Sequence, residues 1–186
     1  SWLVYEGTGG FRGGFLSTNT FGGIFVNLST TTSIFQPPDL NLLGSLVVST
    51  GIVRPLGART IALGGDLLQL GGAIDFNLPS TGTIRLTGTS SQTLTLLPGA
   101  TLWNLVAVGT GTVNAASSLR VRGEFVVNAG LFRAGSSSHS FQSSVRVGPA
   151  GAFDGQTSTV TLDGALRGFL SQTVSFAGAG AFWGLN

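Results

Sequence analysis

The chain reads as an all-β protein, a right-handed parallel β-helix (β-solenoid), on three observations. Short alternating apolar runs recur along it, turn residues separate them, and the pattern repeats with a long internal period. The runs include Ile24-Phe25-Val26, Leu46-Val47-Val48, Leu67-Leu68-Gln69-Leu70, Thr83 to Leu86 and Leu94 to Leu96. Gly, Pro, Asn or Asp falls between them. No ten-residue stretch carries the 3.6-residue period of a helix, so the elements are short strands joined by turns.

The period emerges from self-comparison. Thr83-Ile84-Arg85-Leu86-Thr87-Gly88 matches Thr159-Val160-Thr161-Leu162-Asp163-Gly164, and Trp2-Leu3-Val4-Tyr5-Glu6-Gly7 matches the same segment. Ser91-Gln92-Thr93-Leu94 matches Ser171-Gln172-Thr173-Val174, while Val26-Asn27-Leu28, Trp103-Asn104-Leu105 and Trp183-Gly184-Leu185 form a closing motif. Between them, Leu46 to Gly51 pairs with Phe125 to Gly130, Arg54 with Arg133, and Gly72-Ala73-Ile74-Asp75 with Gly151-Ala152-Phe153-Asp154. The unit is about 80 residues, which divides a single domain of residues 1–186 into a partial unit 1–28 and units 29–105 and 106–185.

A long all-strand unit suits coils stacked on coils, with roughly four coils of about 20 residues per unit and about nine coils in all. Inward ladders of Val, Leu, Ile and Phe then form the core, and each fully buried side chain contributes about 1.5–3 kcal/mol. The alternative is a set of β-sandwich repeats, which also show short strands and frequent turns. A third of a sandwich cannot bury a core, whereas a third of a solenoid unit stacks on its neighbour, so the partial first unit favours the solenoid.

Composition narrows the function classes. Of 186 residues 30 are Gly, more than twice the usual share of about 7%, and 42% are hydrophobic but only 9% charged. Ser, Thr, Asn, Gln and Gly cover the surface instead, and with a net charge of +2 such a surface tolerates packing against copies of itself or against carbohydrate. All nine basic residues are Arg, too few and too scattered for a nucleic-acid partner. Cys and Met are absent, and no run of 18 apolar residues predicts a transmembrane helix.

A search for chemistry yields little. His139, the only histidine, lies in Ser136-Ser137-Ser138-His139-Ser140, which reads as a polar, solvated turn. One His, no Cys and seven scattered acids make no transition-metal shell, and neither a metal nor a cofactor is expected. Asp75 and Asp154 are repeat-equivalent, as are Glu6 and Asp163. Several coils separate the members of each pair, too far for the carboxylate pair of a glycosidase, so turn capping or pairing with Arg54 and Arg133 is expected. Glycine motifs such as Gly7-Thr8-Gly9-Gly10 open no helix and make no phosphate loop. Thr-x-Thr steps at Thr87/Thr89, Thr93/Thr95, Thr110/Thr112 and Thr157/Thr159/Thr161 raise a flat ice-binding face as a minor reading, but Thr is also simply a good strand residue. No enzymatic activity is expected.

The repeat motifs resemble those of bacterial secreted and cell-surface β-solenoid proteins, filamentous-haemagglutinin-like or adhesin-like. The segments that carry the resemblance are Thr60-Ile61-Ala62-Leu63-Gly64-Gly65-Asp66-Leu67, Gln156 to Gly164, Ser91-Gln92-Thr93 and Trp103-Asn104-Leu105. It implies a parallel β-helix, an extracellular or cell-surface location and a role in adhesion or structural assembly, with no catalytic residues. Gly184 departs from the closing motif, and four residues are inserted between Gly164 and Gln172.

The chain opens with Trp2-Leu3-Val4-Tyr5 and closes with Phe182, Trp183 and Leu185, all core-like in the repeat alignment rather than polar caps. These seven residues are the expected stacking ends, either within a longer solenoid or between copies in a head-to-tail filament. The expected function is a segment or subunit of a surface fibre whose partners are copies of itself. An adhesin stalk or carbohydrate-binding module is the alternative, and a polysaccharide-active enzyme ranks third. Exposure of Trp103 and Trp183 discriminates the first two.

Overall fold

A computed structural model describes residues 2–7, 20–28, 30, 34–35, 37, 39–55, 57–76, 81–164, 173–176 and 179–181. Its strands begin with β1 (Trp2–Gly7), β2 (Thr20–Phe21), β3 (Gly23–Leu28), β4 (Ile34–Phe35), β5 (Leu40–Leu42), β6 (Leu46–Thr50) and β7 (Ile52–Val53). They continue with β8 (Thr60–Leu63), β9 (Leu67–Gln69), β10 (Ala73–Ile74), β11 (Thr83–Leu86), β12 (Gln92–Thr95), β13 (Asn104–Ala107), β14 (Thr112–Ala115) and β15 (Arg120–Val121). The last are β16 (Phe125–Arg133), β17 (Ser138–Phe141), β18 (Val145–Asp154), β19 (Thr159–Leu162), β20 (Val174–Phe176) and β21 (Ala179–Ala181).

Every strand pairing among these residues is parallel, and each strand pairs with one a coil away in sequence. That pattern is a β-solenoid; a sandwich would need antiparallel neighbours. The coil has three faces. Face one stacks β2, β5, β8, β11, β13, the first parts of β16 and β18, and β20. Face two stacks β1, β3, β6, β9, β12, β14, the second parts of β16 and β18, and β21. Face three stacks β4, β7, β10, the bridge residues Thr101 and Leu102, then β15, β17 and β19. Six turns carry a strand on every face, and one between them closes through the two bridge residues.

Alternation within each strand sends one set of side chains inward. Face two contributes the ladder Ile24, Leu46, Leu67, Leu94, Ala115, and face one contributes Leu42, Leu63, Leu86, Ala107, Val127, Val147, all buried. Further along, one coil supplies a phenylalanine from each face. Phe125 stacks on Phe141 at 4.5 Å between ring centroids and meets Phe132 edge-on at 4.9 Å, and Phe132 stacks in turn on Phe153 of the next coil. These ring pairs add about 0.5–1.5 kcal/mol each beyond area burial.

The 80-residue unit does not hold four coils. Its three copies of one strand, Trp2–Gly7, Thr83–Leu86 and Thr159–Leu162, lie on faces two, one and three respectively. The other matches show the same displacement: Leu46 is on face two and Phe125 on face one, Ile74 on face three and Phe153 on face two. Each unit therefore spans three coils and two further faces, one face short of four. Most coils are close to the expected length, with Trp2 facing Gly23 and Leu46 facing Leu67, but Leu67 faces Leu94 only after 27 residues. The corner between β11 and β12 accounts for most of that excess, since Leu86 and Leu94 are eight residues apart where their partners Leu63 and Leu67 are four apart.

Corners between faces one and two are built from glycine because successive backbones approach too closely for a Cβ. A methyl carbon on Gly88 would sit 2.6 Å from the Gly64 carbonyl oxygen, and one on Gly109 would sit 2.6 Å from the Thr87 carbonyl carbon. Corner backbone donors find side-chain acceptors one coil away. Ser45 Oγ accepts from the Asp66 N–H at 2.8 Å, Asp66 Oδ1 from the Thr93 N–H at 2.7 Å, and Ser117 Oγ from the Leu96 N–H at 2.7 Å. These bonds satisfy polar groups that burial at a corner would otherwise strand.

Candidate functional site

The residues singled out by sequence divide into an end strand, a set of inter-coil polar pairs and a buried histidine. At the described N-terminal end, β1 pairs with β3 from Trp2↔Gly23 through Gly7↔Leu28. Its side chains alternate rather than all facing the core. Leu3 and Tyr5 pack against the core, whereas Trp2 and Val4 point outward and are 57% and 54% exposed. Val4 begins an outward apolar row that continues through Phe25, Val47 and Leu68 before Thr95 ends it. Phe182, Trp183 and Leu185 lie outside the described residues.

The carboxylates pair with arginines one coil away, as their repeat positions lead one to expect. Asp75 Oδ2 accepts from Arg54 at 2.6 Å and 3.0 Å, and Asp154 Oδ2 stands 3.9 Å from Arg133. These repeat-equivalent pairs lie on faces three and two, so neither Asp75 and Asp154 nor Glu6 and Asp163 share a ladder. Glu6 instead accepts from Asn27, and Asp163 from the Ser140 hydroxyl. Among the described residues no group of three His, Cys, Asp or Glu gathers as a metal site would require. The Thr-x-Thr steps make no regular array either, since Thr93 stacks on Asn114 and then Arg133 follows.

His139 corrects the expectation of a solvated turn. It lies in β17, is 2% exposed, and faces inward with Phe141, whose ring is parallel to it at 6.5 Å. The Leu119 N–H donates to Nδ1 at 3.2 Å, and Nε2 lies 2.7 Å from the Ala134 carbonyl oxygen. A carbonyl can only accept, so the ring is the neutral tautomer protonated on Nε2. Burial lowers the pKa of the ring below its ordinary 6.5, against a smaller raising effect of the Ala134 bond. The signal was in the sequence: in Ser138-His139-Ser140-Phe141 the period of two puts His139 on the side of Phe141, and the serine run masked it.

Two features escaped the sequence reading. Buried glutamines staple corners: Gln92 Oε1 accepts from the Gly88 N–H at 2.9 Å while Nε2 donates to the Leu63 and Gly65 carbonyls. Pro98, Gly99 and Ala100, in the loop from Leu97 to Ala100, wall a groove of about 530 Å³ that is also lined by Arg120, Ser138, Ser140 and Thr161 beside His139. Trp103, the residue that would mark a sugar platform, is half-buried against the core and does not line this groove; Trp183 lies outside the described residues.

Comparison with known proteins gives no match: no family model, no curated protein and no solved structure is significantly similar to the chain. No helix among the described residues is long and apolar enough to cross a membrane.

Proposed function

We propose that this chain is a structural, extracellular protein that acts as a segment or a head-to-tail stacking subunit of a bacterial surface fibre. The observation that supports this reading is the end strand β1. Its partner among the described residues is β3 alone, and strands of every face run parallel, so another copy stacked on this end would meet β1 in the orientation that β3 already uses. A strand edge is a template for such pairing, and Trp2 and Val4 would extend their outward row into the added coil. Sparse charge on the walls leaves little repulsion between neighbouring copies.

Electron microscopy of the purified chain tests the reading. Wild-type protein should form filaments one solenoid wide, whereas a Trp2→Lys/Val4→Lys double variant, which places charge on the edge strand, should stay as short rods with an unchanged β-sheet circular dichroism spectrum. Wild-type rods that stay dispersed at high concentration would rule out self-assembly and leave a stalk-like role.

A further inference from the structure

Most buried polar side chains in this solenoid sit at corners, but His139 occupies a rung of an inward apolar ladder. The register of β15, β17 and β19 places Leu119 on one side of it and Val160 on the other. Its two ring nitrogens join two backbones: Leu119 belongs to the preceding coil, and Ala134 lies at the corner that leads into β17 itself. The groove walled by Pro98, Gly99 and Ala100 adjoins this point and offers the ring a route to water.

We propose that His139 is an acid-operated release in the wall of the solenoid, whose protonation breaks a link between two successive coils and opens the groove lining. A proton on Nδ1 takes away the lone pair that accepts the Leu119 N–H and sets two donors against each other. The resulting imidazolium would be enclosed by Leu119, Phe141 and Val160.

Among the described residues no carboxylate stands ready to neutralise it. On β15 the charged group is Arg120, whose Nε and Nη2 lie 3.1 Å from the Gln142 side-chain oxygen once that amide is oriented to accept from them. Arg133, at the end of β16, faces Asp154 of β18. Beyond β19, the Asp163 carboxylate accepts from the Ser140 hydroxyl on the outer side of β17. The charged ring is therefore more stable in water than in the wall, and acid draws it outward.

The sign follows from linkage. A histidine held neutral by the fold contributes its full stability above the unfolded value of about 6.5, and that contribution is lost as pH falls below 6.5 toward the folded value. Across that window the unfolding equilibrium constant rises up to tenfold per pH unit. The chain has one histidine and no cysteine, so no other side chain of ordinary pKa titrates between about pH 5.5 and 7.5.

The test is urea unfolding of the whole chain at several pH values from 7.5 to 5.0, for wild type and His139→Gln. The glutamine amide can both accept and donate but does not titrate. Wild type should lose stability steadily below pH 6.5 while the variant stays flat, and the Leu119 amide should exchange with solvent faster in acid in wild type only. A flat wild-type profile, or an equal slope in the variant, overturns the proposal. Should the variant not fold, nuclear magnetic resonance of the single imidazole in the wild-type protein decides: a ring titrating below 6.5 and protonated on Nε2 supports it, and one titrating at 6.5 or above refutes it.

Discussion

Gly109→Ala is expected to destabilise the solenoid although it adds only a methyl group at a position where the backbone allows one. The φ angle of Gly109 is not in the left-handed region, so alanine there should on backbone grounds stabilise by about 0.4–1 kcal/mol, by restricting the unfolded chain. The neighbouring coil reverses that sign. The new carbon would lie 2.6 Å from the Thr87 carbonyl carbon and 2.8 Å from that of Gly88, and it also overlaps the Gly88 carbonyl oxygen. Carbon atoms rest at about 3.5–4.0 Å, so the two coils must part by about 1 Å. Three backbone bonds cross that gap: Val108 N–H and Gly109 N–H to the Leu86 oxygen at 2.9 Å and 3.0 Å, and Gly111 N–H to the Gly88 oxygen at 3.1 Å. Lengthened by that amount they pass out of hydrogen-bonding range, a loss of about 1 kcal/mol each. The net expectation is destabilisation of about 2–3 kcal/mol, read as a lower urea midpoint with an unchanged slope. A midpoint equal to or above that of wild type would show that the coils do not touch at this corner and would refute the register of β11 on β13.

Two further substitutions probe the polar joints between coils. Asp75→Asn should cost about 1–2 kcal/mol, because the short, partly buried bond to Arg54 loses its charge, whereas Asp154→Asn should change stability by less than about 0.5 kcal/mol, since the contact with Arg133 is long, at 3.9 Å, and nearly half exposed; equal effects in thermal unfolding would contradict this. Gln92→Leu should cost about 2–3 kcal/mol by leaving the Gly88 N–H and the Gly65 carbonyl without their partner at a buried corner, and a neutral result would mean that water replaces the amide there.

The fold was largely legible because a solenoid writes its packing into local alternation. Ile24, Leu46, Leu67 and Leu94 each head a short run of period two, and each became an inward rung of face two. The Arg54–Asp75 and Arg133–Asp154 pairs were legible for a related reason: partners separated by one coil recur wherever the unit recurs. Face assignment was not legible. It depends on the summed lengths of corners, and a segment such as Pro98-Gly99 reads as a turn whether it bridges two faces or walls a groove. His139 was misread because its neighbours Ser138 and Ser140 are outward-facing strand residues with the composition of a turn.

The slip of one face per unit has a consequence for how such a rod can lengthen. Copying a unit does not restore the starting orientation; everything beyond the insertion is turned by a third of a revolution and still finds parallel neighbours in register. The quantum of growth is thus a single strand with its corner, not a closed turn, which relaxes the demand on where a duplication must begin and end. A rod made only of this unit would regain its original aspect after three copies, or eleven turns, roughly 50 Å along the axis at the usual strand spacing of about 4.8 Å. Any mark carried once per unit would wind around such a rod as a single spiral with three marks per revolution, visible from every side.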